Sequence, residues 1–395
     1  MRASAHRHAG KKSASRKHSV NRGANPFAGR AMWIWELSSA NGGNLASIIA
    51  SAHQRGIGTL YIKSSDGANF WSSQFSPQIV AALHAGGLRV CAWQYVYGNQ
   101  PVTEAYMGAE AIKDGADCLL IDAESEYEGK YIAAQTYVQR LRKLVGSSYP
   151  VGLAGFPYVD FHPAFPYSVF LGPGGAQYNV PQMYWKDIGT TVDAVFAHTY
   201  SFNRIYERPI FPLGQVYSSP PPHQIVRFRQ LSRAYGASGI SWWDWQEATP
   251  AAWSAVSRPV GALAGYAADT VMASFGKGAQ GDLVVWAQEH LISAGYATGV
   301  DGGFGVKTQR VVESFQTAHG LTPDGIVGPA TWAALLRYPP ARIVWGSTSH
   351  ALRAGIATAS GRGAVRYAPV PKSASRPAKR DEIAGAGGSG RPPRR

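Results

Sequence analysis

Short apolar runs alternate with segments of helical periodicity between Arg30 and about Ser257. In the helical segments, apolar residues recur every three or four positions, as on one face of an amphipathic helix. This regular alternation favours parallel strands joined by helical crossovers. The predicted strands are 31–37, 59–64, 89–97, 118–124, 151–156, 180–185, 210–217 and 240–245. The clearest predicted helices are 44–55, 77–85, 103–113, 131–145 and 223–235.

Eight such units within about 230 residues fit a closed (β/α)8 barrel better than an open sheet. We therefore predict an α/β fold with a TIM-type barrel over residues 30–258. The fifth and sixth units are the least regular, because 160–176 is rich in Pro and Gly. In a barrel of this type, functional residues gather where the strands end and in the loops that follow.

A second pattern, over 278–338, predicts a small module of three helices. Apolar residues keep helical spacing around Trp286, again around Phe315, and a third time around Trp332. The connections contain the Asp-Gly pairs at 301–302 and 324–325, which suit tight turns because Gly accepts positive φ. The residues between the two patterns, 259–277, are predicted to be a linker.

The formal charge of +14 is concentrated at the two ends of the 395-residue chain. Residues 1–30 hold eight Lys and Arg and no acid, whereas 339–395 hold eleven against two acids. The middle, 31–338, has 19 basic and 22 acidic residues. We predict disordered basic tails over 1–29 and 339–395, since both are poor in large apolar residues. The tails suit anionic wall polymers or lipid headgroups as partners, with nucleic-acid binding or simple solvation of the chain ends as the alternatives. No specific nucleic-acid site is predicted.

The module at 278–336 resembles the peptidoglycan-binding domain found in many bacterial wall enzymes. Its diagnostic positions are Leu283, Gln288, 301–305, Thr308, Phe315, Gln316, Leu321, 324–329, Thr331 and Trp332. The resemblance implies that peptidoglycan is the partner and that the protein is extracellular or in the cell wall. It also implies a shallow groove near the second Asp-Gly turn, with Asp324, Gly325 and Thr331 as candidate contacts.

The basic start of the chain is not followed by an apolar run, so no secretory signal is predicted and the export route is unassigned. No stretch approaches the roughly 20 apolar residues of a membrane span. Cys91 and Cys118 lie in predicted inner strands and are expected to act as small hydrophobic residues. Neither a metal site nor a cofactor is predicted, because no His or Cys spacing matches one.

The fourth predicted strand ends in alternating carboxylates. By the period of two, Asp122 and Glu124 point the same way. Glycoside hydrolysis uses one protonated carboxyl and one ionised partner, and crowding two carboxylates in an apolar cleft separates their pKa values. We expect Glu124 to be the general acid and Asp122 the stabiliser or nucleophile. The alternative is that these acids pair with basic residues or cap the helix that begins near Tyr131.

Other candidates fall at the same strand ends. Asp244 and Glu36 are the further candidate acids, although Asp244 and Glu247 equally suit hydrogen bonding at the barrel rim. Lys63 is expected to pair with Asp66 or with an acid of the fourth strand. Aromatic rings beside polar groups suit a sugar polymer. The candidate substrate-binding residues are Trp35, Gln94, Tyr95, Glu126, Gln182, Tyr184 and Trp243.

The barrel is distantly similar to the family 25 glycoside hydrolases, which are barrel muramidases. The resemblance rests on Asp122-x-Glu124 and on the residues 182–184, Gln-Met-Tyr. The chain departs from that family at strand one, where an Asp is expected and Glu36 stands. Family 18 chitinases share an Asp-x-Asp-x-Glu motif, but Leu120 replaces its first Asp.

The leading hypothesis is therefore a peptidoglycan glycoside hydrolase of muramidase type, held on the wall by its module. The alternative is a catalytically inactive barrel that binds glycan as a wall-anchored scaffold, a reading favoured by the missing strand-one Asp. A wall amidase or peptidase is disfavoured, because no nucleophile or metal set is visible.

Overall fold

Eight parallel strands form a closed barrel in the computed structural model, which describes residues 25–346. The strands are β1 Gly29–Ile34, β2 Thr59–Asp66, β3 Asn69–Phe70, β4 Arg89–Val96, β5 Cys118–Ala123, β6 Val151–Ala154, β7 Tyr178–Asn179, β8 Leu213–Gln215 and β9 Gly239–Trp243. All are parallel to their neighbours except the short β3, which pairs antiparallel with β2. The sheet order is β7-β6-β5-β4-β2-β1-β9-β8, and parallel bridges at Asn179–Ile210 and Gln182–Leu213 close it. The predicted fold class is confirmed.

Helices follow the strands and cover the outside of the barrel. They are α1 Leu45–Arg55, α2 Pro77–Ala85, α3 Pro101–Lys113, α4 Tyr131–Val145, α5 Tyr167–Leu171, α6 Trp185–Ile188, α7 Val192–Asn203, α8 Pro222–Ala234 and α9 Pro250–Ser257. Several begin at a side chain that caps the first turn, such as Asn44, Ser76, Thr191 and Thr249. Such caps satisfy backbone N–H groups that have no partner within the helix.

The strands bury both faces, as parallel sheets do. One set of side chains packs outward against the helices, as Ile62 and Ile121 do. The alternate set fills the barrel interior, where Trp33, Tyr61 and Trp93 form part of a separate aromatic core. Because the side-chain period along a strand is two, the register of each strand decides which residues reach the interior.

The sixth and seventh strands are shorter than predicted. No regular strand spans 180–185, and the seventh contracts to Leu213–Gln215. Pro181 and Pro212 lie in these segments, and proline lacks the N–H that a ladder needs. The chain still completes the barrel, because Met183 N donates to Leu213 O at 2.8 Å and Phe211 N donates to Asn179 O at 2.8 Å.

The helical module, residues 278–338, contains α10 Asp282–Ser293, α11 Val306–Ala318 and α12 Pro329–Leu335. It packs directly on the barrel. The indole N–H of Trp286 donates to Ile205 O at 2.7 Å, and in the predicted linker Ala273 N donates to Ser201 O at 3.0 Å. The first residues of the predicted linker also lie along the barrel, since Arg233 donates to Val260 O.

The carboxyl group of Asp282 is fully buried in this interface. Its carboxylate accepts hydrogen bonds from the hydroxyls of Tyr131, Ser168 and Tyr206, all from the barrel, and from Ser168 N. The distances lie between 2.6 and 3.0 Å. The two regions therefore form one packed unit, in contrast to the flexible tether that a linker would provide.

At both ends, the packed structure extends into residues that were predicted to belong to the basic tails. Phe27 is buried at the N-terminal end of the barrel interior, and Trp345 packs on Tyr131 with ring centroids 4.4 Å apart. Gln135 fixes the same segment by donating to Ile343 O at 2.6 Å. The remainder of the predicted basic tails, 1–24 and 347–395, lies outside the described residues.

Candidate functional site

The carboxylate pair, Asp122 and Glu124, lies at the C-terminal end of β5. The strand is buried along its whole length, and Asp122 lies opposite Tyr95 of β4 and Ala154 of β6. Asp122 is 6% exposed and Glu124 is 9% exposed. A fully buried strand thus places two carboxylates at the functional end of the barrel.

Gln182 holds the two carboxylates together. Its side-chain N–H₂ donates to Asp122 Oδ1 at 2.9 Å and to Glu124 Oε1 at 3.3 Å. Gln182 belongs to the segment that closes the barrel beside Leu213. One amide therefore fixes both carboxyl groups within hydrogen-bond reach of a single nitrogen, which makes their charges strongly interdependent.

Burial raises the pKa of Asp122 well above its usual range. The nearby carboxylates of Glu124, Glu126 and Asp66 raise it further, whereas the Lys63 ammonium opposes the shift. Burial disfavours the charged form of a carboxyl, and so do neighbouring charges of the same sign. The pKa of Asp122 is therefore set by its burial and by the balance between the acids and the lysine beside it.

Lys63 brings a positive charge into the interior of the barrel. Its ammonium lies 2.6 Å from Asp66 Oδ2, which is one of the two pairings expected from the sequence. Three indole rings surround the same nitrogen, with Trp71 at 4.5 Å, Trp93 at 5.0 Å and Trp35 at 5.4 Å from ring centroid to Nζ. Cation–π contacts and the ion pair together offset the loss of hydration at this buried site.

Two tyrosines extend the polar network beside this lysine. The Tyr97 hydroxyl donates to Asp66 Oδ1 at 2.8 Å, and the Tyr95 hydroxyl donates to Glu126 Oε2 at 2.7 Å. The two rings pack edge to face with centroids 4.9 Å apart. Tyr95 and Glu126 therefore lie in the region predicted for them, although they bond to each other.

Tyr184 lies among the acids on the other side of the carboxylate pair. Burial raises the pKa of its hydroxyl well above the usual range, and the nearby Tyr217, Asp122, Glu124 and Asp244 add to the shift. Three of the four candidate acids, Asp122, Glu124 and Asp244, thus act on one phenol. The Tyr184 hydroxyl is kept protonated, and so it is a potential hydrogen-bond donor.

Asp244 follows β9 and is 1% exposed. Its Oδ1 accepts a hydrogen bond from Glu247 N at 3.2 Å, which matches the predicted alternative of a rim hydrogen-bonding role. Asp244 also lies within electrostatic range of Tyr184. The structure therefore brings Asp244 to the same end of the barrel as the carboxylate pair.

An aromatic wall lies beside these polar groups. Trp243 has its ring centroid 5.3 Å from Trp93, 5.6 Å from Trp33 and 6.3 Å from Trp35. Trp35 and Trp243 are only partly buried, whereas Trp33 and Trp93 are fully enclosed. The first two thus offer ring surface at the edge of the interior, where a sugar ring stacks well.

Two predicted site residues lie elsewhere. Gln94 is fully buried between β4 and α3, where its side chain donates to Glu104 O at 3.1 Å, and a Cβ on Gly108 would contact its Oε1. Glu36 is exposed just beyond β1 and accepts from Ser39 Oγ at 3.2 Å. Gln94 points away from the interior because alternate residues of a strand face opposite sides, whereas Glu36 lies beyond the end of β1, where the strand no longer sets its direction.

Cys91 and Cys118 form a disulfide, contrary to the expectation that they act as small hydrophobic residues. They are register partners on the adjacent parallel strands β4 and β5, with Cα atoms 4.6 Å apart. The alternation that places Asp122 in the interior places both cysteines there too. Their pairing depends on this register, which spacing along the chain does not reveal.

The helical module contains an internal repeat that the sequence prediction missed. The pattern Asp-Gly-x-x-Gly-x-x-Thr occurs at 301–308 and again at 324–331. In the first copy, Gln288 donates to Asp301 Oδ1 at 2.8 Å and accepts from Gly302 N. In the second, Gln316 donates to Asp324 Oδ1 at 2.8 Å and accepts from Gly325 N. A glutamine on each preceding helix thus fixes each loop.

The candidate contacts of the module differ in accessibility. Thr331 is 4% exposed. Its hydroxyl accepts a hydrogen bond from the Gln316 side chain at 3.0 Å and donates to Ile326 O at 3.1 Å, so it faces inward. Asp324 is exposed, and hydrogen bonds from Ile326 N and from Gln316 lower the pKa of its carboxyl. Ile326 is 45% exposed beside it. Gly325 contributes backbone with a φ of 69°.

Within residues 25–346, no group of three or more His, Cys, Asp or Glu side chains is arranged to hold a metal ion. No helix in that same range is both long and apolar enough to cross a bilayer. The described site consists of carboxylates, one amide, tyrosines and indoles. These groups are suited to acid–base chemistry on a polar substrate.

Residues 280–335 match the profile of the PG_binding_1 family, a peptidoglycan binding domain. Curated relatives also match. N-acetylmuramoyl-L-alanine amidase CwlM of Mycobacterium tuberculosis is 37% identical over 131 residues, covering 33% of this chain and 29% of the relative. Zinc D-Ala-D-Ala carboxypeptidase of Streptomyces albus G is 41% identical over 90 residues, covering 22% and 34%. The chain spans about a third of the length of the curated relatives that it matches.

Solved structures resemble the barrel at low identity. The spore cortex-lytic enzyme SleL of Bacillus cereus is 12% identical, with a TM-score of 0.44. The match covers 59% of this chain and 75% of the SleL chain. A GH18 chitinase from Pseudoalteromonas aurantia is 12% identical, with a TM-score of 0.41, and covers 57% and 97%.

Proposed function

We propose that the protein is a peptidoglycan-directed glycoside hydrolase whose helical module holds the barrel on the wall polymer. The observation that carries this proposal is the carboxylate pair, fixed by one Gln182 amide at the C-terminal end of β5. Two adjacent carboxyl groups, one of them with a raised pKa, beside partly exposed indole surface match the requirements of glycosidic bond cleavage.

In the proposed reaction, Glu124 donates a proton to the glycosidic oxygen as the bond from that oxygen to the sugar C1 breaks. In its ionised form, which the Lys63 ammonium favours, Asp122 stabilises the positive charge that develops on the sugar ring, and Gln182 keeps Asp122 in place. Water then adds to C1 and returns a proton to Glu124.

Peptidoglycan is the proposed substrate because of the module. Its match over 280–335 is to a peptidoglycan binding domain, and the relatives CwlM and zinc D-Ala-D-Ala carboxypeptidase are wall-related by name. We place the contact at the second Asp-Gly loop, where Asp324 and Ile326 are exposed. Thr331 and Gln316 support that loop from within.

The proposed location is the cell wall or the extracellular space. The disulfide between Cys91 and Cys118 supports it, because such bonds form and persist in oxidising compartments. The packed interface at Asp282 further implies that wall binding orients the barrel relative to the polymer, in addition to raising the local substrate concentration.

A more specific form of this proposal is that the enzyme cleaves the same bond as a muramidase. It rests on the resemblance at Asp122, Glu124 and 182–184 to the family 25 enzymes. Such cleavage leaves new reducing ends on N-acetylmuramic acid. Borohydride labelling of the products distinguishes it, since new reducing ends on N-acetylglucosamine would contradict this finer assignment.

The second candidate function is an inactive barrel that binds glycan as a wall-anchored scaffold. The exposed position of Glu36 favours it, because no strand-one acid then faces the carboxylate pair. This protein would bind peptidoglycan through the module and the aromatic wall without breaking a bond.

Release of reducing ends from purified peptidoglycan tests the two candidates. We expect release by the wild type and a loss of about 100-fold or more in Glu124→Gln, the usual effect of removing a general acid. Glu128→Gln is the matched control, since Glu128 is an exposed acid that contacts His162 at 2.8 Å. Wild-type protein that binds the wall and releases no reducing ends would favour the scaffold, whereas release of free amines instead would indicate an amidase.

A further inference from the structure

A cavity of about 670 Å³ opens at the N-terminal face of the barrel, opposite the carboxylate pair. The starts of β1, β2, β4 and β9 form its floor, and α8 and the segment after α9 form its sides. This face carries no role in the proposed glycosidic chemistry, because barrel active sites lie at the other end. Its size is typical of ligand sites.

Five arginines line the cavity, and no Asp or Glu does. Arg30 and Arg89 come from the starts of β1 and β4, Arg229 and Arg233 from α8, and Arg258 from the residue after α9. Arg30, Arg229, Arg233 and Arg258 form no ion pair with any carboxylate in the described part of the chain. Within residues 25–346, these four guanidinium groups therefore concentrate positive charge at the cavity without a paired carboxylate.

Backbone carbonyls hold these guanidinium groups in position. Arg30 Nη1 donates to Val256 O at 3.0 Å, and Arg229 Nη1 donates to Ala255 O at 2.7 Å. These contacts with carbonyls at the C-terminal end of α9 stabilise the fold. They involve the Nη1 atom of each arginine. The Nη2 atoms of both residues donate to no group within residues 25–346 and remain as fixed donors at the cavity.

The arginines also disfavour one another. Burial and the charges of Arg30, Arg233 and Arg258 lower the pKa of Arg229 to about 10. Burial and Arg233 likewise lower the pKa of Arg30. Like charges gathered without a counterion destabilise the folded chain, so a bound anion would relieve a repulsion that the fold otherwise retains.

A glycine leaves the room that this arrangement needs. A Cβ at Gly56 would lie 2.1 Å from Arg30 Nη2, and the φ of Gly56 is +65°, where other residues are strained. The absence of a side chain at this position allows the guanidinium to lie against the backbone at the cavity edge.

We propose that this arginine cavity is a binding site for a phosphate group. Converging guanidinium groups from separate elements match the several oxygens of a phosphate better than the two of a carboxylate. The phosphate can come from a phosphodiester-linked anionic polymer of the wall or from free inorganic phosphate. A polymer bound here would give the barrel a second anchor, independent of the helical module.

Calorimetric titration of the full chain tests the site, with inorganic phosphate and a short glycerol-phosphate oligomer as the two probes and acetate as the carboxylate comparison. We expect one or both phosphate probes to bind at least about tenfold more tightly than acetate, because multidentate arginine contacts favour phosphate. Tighter binding of the oligomer identifies a polymer as the source, and tighter binding of inorganic phosphate identifies the free anion.

Arg233→Gln and Arg227→Gln are matched variants on α8. Arg233 is exposed at the cavity, whereas Arg227 pairs with Asp193 and does not line it. Phosphate affinity should fall about tenfold in Arg233→Gln and hardly change in Arg227→Gln, as expected when one charged contact is lost. Equal losses in both variants, binding of acetate as tight as that of phosphate, or binding of neither phosphate probe would overturn the proposal. Arg258→Gln provides a second exposed variant should Arg233→Gln fold poorly.

Discussion

The carboxylate of Asp282, in the helical module, accepts a 2.8 Å hydrogen bond from the hydroxyl of Tyr206, in the barrel. This contact lies in a fully buried interface, and burial raises the pKa of Asp282 to about 6. The hydrogen bonds from Ser168, Tyr206 and Tyr131 oppose that shift without cancelling it. The joint between the two regions is therefore sensitive to protonation.

The first prediction concerns pH and this joint. The folded-state pKa of Asp282 lies above its ordinary value of 3.8, so its contribution to stability is fully present below about pH 4. That contribution is lost as the pH rises through about 6, and each pKa unit corresponds to about 1.4 kcal/mol. We expect the stability of wild type relative to Asp282→Asn to fall by about 3 kcal/mol over this window.

Denaturant unfolding of both proteins at several pH values measures this difference. Tyr206→Phe removes one of the hydrogen bonds that lower the pKa, so the window should move to higher pH in that variant. A difference between wild type and Asp282→Asn that does not vary with pH would contradict the assignment.

The second prediction is that Asp122→Asn gains stability and loses activity. Because the pKa of Asp122 is raised, ionising this carboxyl costs folding free energy that grows as the pH rises through its folded pKa. Asparagine keeps an acceptor oxygen for Gln182 and carries no charge. We expect a gain in stability at neutral pH that disappears near pH 3, alongside loss of glycan cleavage.

Thermal unfolding at the two pH values, together with the reducing-end assay, checks this prediction. Asp269→Asn is the control, since Asp269 is exposed and its carboxylate contacts only Val271 N nearby. A variant that is less stable than wild type at neutral pH would show that Asp122 is ionised and paired in the folded protein.

The third prediction concerns Lys63. Replacing it with Met leaves Asp66 without its cationic partner and removes a cation that opposes the raised pKa of Asp122. We expect a loss of about 1–3 kcal/mol, less than for a fully buried pair, because Asp66 is 26% exposed and keeps the Tyr97 hydrogen bond. The double variant Lys63→Met/Asp66→Asn should recover part of it, and a double-mutant cycle measures the coupling. Purely additive effects would mean that the pair contributes no interaction energy.

The fourth prediction concerns which exposed surface of the module contacts peptidoglycan. Ile326→Ser should weaken retention on purified peptidoglycan about tenfold with little change in stability, because this side chain is 45% exposed beside Asp324. Val306→Ser is matched to it, being 48% exposed in the first copy of the repeat. Sedimentation with insoluble peptidoglycan compares them. Equal retention by the two variants would place the contact surface elsewhere.

Much of the fold follows from local sequence patterns. Apolar strands alternating with amphipathic helices predict the barrel, because both periods are set by backbone geometry. The helix boundaries 77–85 and 131–145 are correct to the residue, since Ser76 and Pro77 mark the first start and Gly146 follows the second end. The strands near Pro181 and Pro212 were overestimated, because side-chain hydrophobicity does not report the missing N–H.

The sequence by itself determined the barrel, the three-helix module and the position of Asp122 and Glu124 on one side of β5, because each depends on neighbours along the chain. Only the tertiary structure decided that Gln182 joins these carboxylates, that Cys91 meets Cys118, and that Asp282 is enclosed by barrel tyrosines. It also turned Gln94 and Glu36 away from the site. These outcomes depend on strand register and barrel closure, which bring together residues far apart in the chain.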